Sequence, residues 1–342
     1  MGEFFYLIAD DLSFVPECAP RDNGPSIQPS RPVMNPSYLA FALLGLIWGS
    51  NFLFMRWASV HISAAQIVFL RVLFGFLPIL VVALATRSLR WRHLRHAHHF
   101  LVMSLLATAV YYYAFAKGAA LLLSSVAGML SGAIPLFSCV CALVLLRDER
   151  PTPRMMAGVA AGFAGVLMIA RPWAGVAGGV SLPGVLYMVA GSLSVGCSFA
   201  YARRFLAKLD LSPLALSTWQ IGFALVAIGA VTDFHGITNI ASDARASAGL
   251  VLGLGLMGTG VAYMLYYFIV RRLGAMAASS VTYIPPVVAL LIGVVFAGEP
   301  VRPTDLAAMA CILGGVYLLQ GGKLRPPVTD TPAQPRHTAR AR

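Results

Sequence analysis

Arg71 is where a chemical reading of this chain begins, because it stands inside an apolar run, residues 63–85, away from every loop. A charged side chain at the centre of a bilayer costs about 2.5–3.5 kcal/mol on insertion scales, and Arg71 lies slightly towards one end of its run. Facing a cavity, it would meet an anionic group such as the carboxylate of a small molecule. Facing lipid, it would snorkel to the surface or pair with exposed backbone carbonyls. Both readings stay open. Asn51 and Gln220 offer neutral hydrogen-bonding groups in two other apolar runs, Tyr112 and Tyr263 sit well inside theirs, and Tyr283 adjoins Pro285. Tyrosines near helix ends are usually interfacial anchors, but aromatics with a few polar groups are also what small-molecule pockets use.

The remaining titratable residues exclude most other chemistry. Of the thirteen carboxylates, five lie in the first 33 residues, and Asp148, Glu149, Asp210, Asp233, Asp243, Glu299, Asp305 and Asp330 fall at the ends of apolar runs or between them. The seven histidines are distributed in the same way. A carboxylate proton relay of the kind found in pumps therefore has no carrier at mid-depth. Neither metal-binding acids for group transfer nor a Ser/His set for proteolysis can be assembled inside the helices, so no catalytic residue, metal or cofactor is expected, and the chain does not read as an enzyme. Gly321-Gly322-Lys323-Leu324 lacks the upstream glycine and the Ser/Thr of a phosphate-binding loop. The five cysteines show no metal-ligand spacing and read as free thiols, four of them within apolar runs.

Pro135 and Pro285 are a second kind of signal. Each removes an intrahelical hydrogen bond and frees a carbonyl one turn earlier, which a bilayer tolerates only against protein or a wet cavity. Before them, Ser124, Gly128, Ser131 and Pro135 recur at helical spacing, as do Ala275, Ser279, Thr282 and Pro286, giving two small, weakly polar faces. Such a face is either a cavity wall or a close helix contact.

The elements that carry these residues are membrane helices. Of the 342 residues 58% are hydrophobic and 11% charged, with a mean hydropathy of +0.78, far from the soluble balance of about 45–50% apolar and about 25% charged. The net charge of +12 is dispersed in short connections and forms no basic face, so no nucleic-acid partner is expected. Runs long enough to span fall at 38–56, 63–85, 98–116, 121–146, 154–171, 183–203, 212–232, 248–270, 275–297 and 303–320. With both termini cytoplasmic, nineteen of the 25 lysines and arginines lie inside, five outside and Arg71 within a helix, which obeys the positive-inside rule.

The ten runs are a duplication. An offset of 150 carries Ile134-Pro135 onto Ile284-Pro285, Glu149 onto Glu299, Pro153 onto Pro303 and Gly165-Val166 onto Gly315-Val316 without a gap. Weaker matches follow in order: Gly49 and Phe52 with Gly196 and Phe199, Arg71 with Gln220, and Thr108-x-Val110-x-Tyr112 with Thr259-x-Val261-x-Tyr263. Five helices per half is an odd number, so the halves must be inserted in opposite senses. The expected fold is an all-α integral membrane protein of ten transmembrane helices in two inverted five-helix repeats. The expected organisation is a disordered N-terminal extension, 1–33, with Met34 as an alternative start; a first repeat, 36–172; a second, 183–322; and a disordered basic tail, 323–342. Gly158-x-x-x-Gly162, Ala161-x-x-x-Gly165 and Ala310-x-x-x-Gly314 read as packing signals within the bundle.

Trp48-Gly49-Ser50-Asn51-Phe52, Arg71, Ile134-Pro135 with Asp148-Glu149-Arg150, and the glycine-rich fifth helix resemble one EamA domain, and Pro285 to Glu299 with the helix after it resembles a second. The whole resembles the EamA-type permeases of the drug/metabolite transporter superfamily over about residues 36–322. That resemblance implies a multi-pass transporter of the inner membrane, often an exporter of amino acids, related metabolites or drugs, working by alternating access; a monomer or weak homodimer is expected. A drug-efflux permease is the alternative, and a sensor or scaffold the reading from another class. The small multidrug exporters of that superfamily hold cations on a first-helix glutamate, where this chain has Asn51 and Ser50, so simple lipophilic cations are disfavoured. The candidate substrate-binding set is Trp48, Asn51, Arg71, Tyr112, Ser131, Pro135, Gln220, Tyr263, Tyr283 and Pro285.

Overall fold

A computed structural model describes residues 36–145, 151–173, 180–207, 209 and 211–321, without the side chains of 274–279. The extension, the basic tail, Asp148, Glu149, Arg150 and Asp210 lie outside the described residues. Among those described, the chain is all helical and contains no strand. The helices are α1 (Pro36–Ala58), α2 (Ala64–Ala85), α3 (Trp91–Leu121), α4 (Ser124–Leu145), α5 (Pro153–Ala170), α6 (Leu182–Leu206), α7 (Pro213–Val231), α8, which begins at Ala244–Ala248 and passes through a π-type stretch Gly249–Val261 into Ala262–Ser280, α9 (Val281–Ala297) and α10 (Pro303–Gln320). Nine of these have the length and apolarity of a membrane span, and α9 is a shorter apolar helix.

Local sequence sets several of the boundaries. Ser63 caps α2 by accepting from the Gln66 N–H at 3.3 Å while the Gln66 side chain accepts from the Ser63 N–H at 3.0 Å, a reciprocal capping box. Ser212 and Thr152 accept from the N–H three residues on, and each is followed by a proline at the first helical position, where its missing donor is not needed. Both mid-helix Ile-Pro pairs follow a tightened turn. In α4 the Gly132 and Ala133 N–H groups reach back three residues to Met129 and Leu130 before the helix resumes at Ile134. In α9 the 3₁₀ turn Val281–Tyr283 precedes Ile284. The halves differ at the preceding boundary. The chain breaks helix at Leu122–Leu123 between α3 and α4, whereas helical structure after α8's span runs on to Ser280, ten residues past the expected end at 270. Ala275, Ala277 and Ala278 are strong helix formers, which accounts for the longer helix.

Packing interleaves the two repeats. The main neighbours of α1 are α8 and α9, of α2 α8, of α5 α10, and of α7 the pair α2 and α3, so most of the contact surface joins one repeat to the other. Gly49 on α1 lies against α9: a Cβ there would stand 3.1 Å from the Pro285 carbonyl oxygen. Gly196, its counterpart on α6, lies against α4, with a Cβ position 2.9 Å from the Phe137 carbonyl carbon and the Ser138 nitrogen. The glycines of α5 and α10 meet backbone to backbone, a Cβ on Gly158 falling 2.5 Å from the Gly315 oxygen and a Cβ on Gly315 falling 2.5 Å from the Gly158 oxygen. The Gly158 and Gly162 signal therefore joins helices as expected. The Ala310-x-x-x-Gly314 reading is corrected: both residues are exposed and nothing lies within 4 Å of a Cβ on Gly314, because the adjacent row Ala308, Ile312 and Gly315 faces α5.

At the end of the bundle where α1 finishes, polar ties also cross between repeats. The buried Glu299 carboxylate accepts from the backbone N–H groups of Ser124 and Ser125 and from the Ser124 hydroxyl, each at 2.8 Å, at the start of α4. The Arg56 guanidinium lies 4.0 Å away. A carboxylate at a helix N-terminus satisfies donors that the helix leaves open and complements its dipole. Arg171 pairs with Asp305 at 3.0 Å, and the Gln66 amide donates to the carbonyls of Asp233 and His235 at 2.8 Å each.

Two outcomes follow from these contacts. Burial by itself would raise the Glu299 carboxyl, but its hydrogen bonds from Ser125 and Ser124 outweigh burial and hold the group below the ordinary glutamate range. Its stabilising contribution is therefore complete above the unfolded value of about 4.3 and fades as pH falls below that towards the depressed folded value. Glu299→Gln is expected to lower the heat-unfolding midpoint of detergent-solubilised protein at pH 7, by the equivalent of about 1.5–3 kcal/mol. The gap should close in acid, and equal midpoints at pH 7 would refute the capping role. Gly158→Val should destabilise by about 1–3 kcal/mol through overpacking, whereas Gly314→Val should leave the midpoint unchanged; size-exclusion recovery after heating reads both.

Candidate functional site

The seam between the repeats is built by the second, third, seventh and eighth helices. Arg71 is the eighth residue of α2, roughly 10 Å along the axis from its start at 1.5 Å per residue, and is only 5% exposed. It does not reach for lipid headgroups. Its Nε donates to the Thr259 hydroxyl on α8 at 3.1 Å, and an Nη lies a long 3.5 Å from the Gly258 carbonyl. The Asn51 amide, oriented by its hydrogen-bond network, donates to the Ile47 carbonyl at 3.1 Å and accepts from the same Arg71 Nη at 3.3 Å. The guanidinium carbon stands 3.9 Å from the centroid of the Tyr112 ring, and the Met55 sulfur lies 3.9 Å from the other Nη. A desolvated cation over an aromatic face gains about 2 kcal/mol or more.

Residues at matching repeat positions make the mirror contact. The Gln220 amide on α7 donates to the Thr108 hydroxyl on α3, also at 3.1 Å. Arg71 and Gln220 correspond, and so do Thr259 and Thr108, so two related hydrogen bonds cross the seam in opposite senses. Both threonines sit in π-type stretches, Leu105–Ala109 and Gly249–Val261, where the wider turn changes which side chains face the seam. Such turns are common at functional sites. Within the second stretch the Thr259 hydroxyl donates to the Leu254 carbonyl five residues back, at 3.0 Å.

Tyrosines continue both helices from these threonines. Tyr112 lies one turn beyond Thr108, its ring 5.1 Å from that of Tyr111, which in turn is 4.5 Å from Phe115. Tyr263 lies one turn beyond Thr259 and is 6.2 Å from Tyr267; Tyr267 shares a 2.5 Å hydroxyl contact with Ser217. Tyr266 links this group to Trp48 at 6.1 Å. Among the described residues the buried Tyr283 hydroxyl has no hydrogen-bond partner, a position in which a polar group loses its hydration without compensation.

The structure thus brings Asn51, Arg71 and Tyr112 into direct contact, sets Gln220 into the related bond, and aligns Trp48, Tyr266, Tyr267 and Tyr263 as an aromatic string. It places Ser131, Pro135 and Pro285 elsewhere. Ser131 donates to the Gly128 carbonyl at 2.6 Å on the buried face where α4 meets α9, and a Cβ on Gly132 would stand 3.0 Å from Pro286. That small-residue face is a helix contact. Pro285 is buried, with its carbonyl towards Gly49; Pro135 is half-buried at the head of the resumed α4. In the sequence Thr108 and Thr259 stand out only as matching positions of the two repeats; nothing there signals their pairing with Gln220 and Arg71. Beside this seam, a lateral groove of about 470 Å³ runs between α1 and α8, lined by Phe54, Trp57, Gly253 and the residues just before Asn51 and Gly258, namely Ser50 and Met257.

Comparison with known proteins agrees with this architecture. The chain matches the EamA-like transporter family over residues 35–171 and again over 182–320. It is 21% identical over 282 residues to an uncharacterized transporter of Archaeoglobus fulgidus, covering 82% of this chain and 98% of that one. It is 28% identical over 300 residues to the Bacillus subtilis uncharacterized transporter YcxC, covering 82% and 91%. With the Escherichia coli uncharacterized inner membrane transporter YedA it shares 25% identity over 209 residues, 58% of this chain and 63% of that protein. A protein of known crystal structure shares the fold, with a TM-score of 0.52 at 21% identity over 83% of this chain and 97% of that one. Two successive matches, the first spanning α1 to α5 and the second α6 to α10, establish that this chain is a multi-pass membrane protein belonging to the EamA-like transporter family.

Proposed function

We propose that this transporter exports amino acids or related small metabolites across the cytoplasmic membrane by alternating access, with both termini in the cytoplasm, and that Arg71 receives the substrate's carboxylate. The observation that carries the reading is the state of Arg71. It is buried between the repeats and, among the described residues, hydrogen-bonded only to neutral groups, with no carboxylate within ion-pair distance of it. A cation kept out of water without a counter-ion favours an anionic ligand group. The tyrosines and Asn51 supply the aromatic and neutral polar contacts that fix orientation in a small-molecule site. Orientation is supported by the excess of lysine and arginine in the connections on one side.

Comparing the metabolites of cells lacking and overproducing the protein identifies the substrate, and vesicles containing purified protein then measure its flux. Arg71→Lys retains the charge but not the planar fork, so it is expected to keep partial transport. Arg71→Ala should abolish transport, and both variants should accumulate in the membrane at normal levels. Normal flux through Arg71→Ala would overturn the assignment, as would failure of that variant to accumulate, which would make the arginine structural.

A further inference from the structure

The structure assigns a second chemically competent site, away from the Arg71 seam: we propose that Cys141 on α4 and Cys197 on α6 form a redox-modifiable pair whose oxidation joins the two repeats by a disulfide. Their sulfur atoms are 3.0 Å apart, so bond formation at about 2.05 Å needs an approach of about 1 Å. The pair is set by backbone packing. Gly196, immediately before Cys197, has no side chain to hold α6 away from α4, and a Cβ there would stand 2.9 Å from the Phe137 and Ser138 backbone atoms, one turn before Cys141. Cys141 is buried and Cys197 half-buried, and the Cys141 thiol also lies 3.8 Å from the Leu193 carbonyl on α6. Two short side chains are thereby confined to one small space between helices of different repeats.

Both cysteines lie within apolar spans, so the reaction calls for an oxidant that enters lipid. An organic hydroperoxide meets that requirement. One cysteine attacks the peroxide oxygen, breaking the O–O bond to give a sulfenic acid and an alcohol; the second attacks the sulfenic sulfur, forming S–S and releasing water. Two thiols and one hydroperoxide thus become one disulfide, one alcohol and one water, the two electrons lost by sulfur being taken up by the peroxide oxygens. The bond ties α4 to α6 until a thiol reductant restores it, and any movement that parts those helices is stopped while it lasts.

The test uses the full-length protein in phosphatidylcholine vesicles, treated with cumene hydroperoxide, blocked with N-ethylmaleimide and digested for mass spectrometry. The expected product is a peptide pair joined through Cys141 and Cys197, cleaved by dithiothreitol, absent from Cys197→Ser, and formed at unchanged yield when the protein is diluted. Cys311 should carry the maleimide. Separate alkylated Cys141 and Cys197 peptides after oxidation would overturn the proposal. So would bridges to other cysteines or between molecules, or sulfinic acid at Cys141 without a bridge. Because the wild-type protein supplies the primary readout, the result does not depend on how well any variant folds.

Discussion

A polar side chain inside hydrocarbon has no water to turn to, and this constraint fixes how the two repeats meet. Arg71 of the first repeat finds Thr259 of the second, and Gln220 of the second finds Thr108 of the first, both at 3.1 Å. Each of these two bonds runs from a donor in one half to a hydroxyl in the other. Lipid supplies no hydrophobic drive for helix association, so such hydrogen bonds and the close contacts of small residues carry the specificity of assembly. In this protein both kinds join the repeats, and Gly75 of α2 packs closely on Thr259 and Gly255 of α8 beside the Arg71 bond. Hydrogen bonds occupy the seam at Arg71 and Gln220, while bare glycine backbones occupy the α5–α10 contact, where Gly158 and Gly315 exclude even a methyl group.

The two crossing bonds are alike in geometry and unlike in charge. An amide at Gln220 is satisfied once its hydrogen bonds are made. A guanidinium at Arg71 is not, because its hydrogen bonds to Thr259 and Asn51 and its position over Tyr112 address direction and desolvation while leaving a full positive charge in place. Divergence at this position between the related halves turns a symmetric fastening into a seam with one polar end. The π-type turns that carry both threonines contribute to this, since a widened turn moves each hydroxyl to face the other repeat and sets a tyrosine one turn further on.

Most of the fold was legible because membrane spans and internal duplication leave strong marks: long apolar runs, a gapless offset of 150 over Ile134-Pro135 to Gly165-Val166, and a lysine and arginine bias. The boundary between α8 and α9 was less legible, since alanines at 275, 277 and 278 continue a helix as readily as they begin one. Of the site, Arg71, Asn51 and Tyr112 were visible as polar or aromatic residues out of place in apolar runs. Their partners were not, because threonine is at home in membrane helices and nothing in a single sequence distinguishes Thr259 from Thr282. The serine and glycine face before Pro135 misled in the opposite direction. Small residues serve cavities and helix contacts alike, and only the nearness of Pro286 and Ala289 shows that here they serve contact.

Glu299 shows how the same chemistry is used differently a short distance away. Its carboxylate is given every donor it needs by the start of α4 and has Arg56 beside it, so its charge is absorbed into a helix cap and has no further demand to make. Had an acid of this kind stood at Thr259 or Asn51, Arg71 would be equally absorbed, and the seam would hold a buried ion pair: costly to desolvate, difficult to part and indifferent to ligands. Neutral partners achieve something else. They hold the guanidinium in one orientation through hydrogen bonds that are individually weak enough to exchange, which is what the proposed binding of a substrate carboxylate at Arg71 requires.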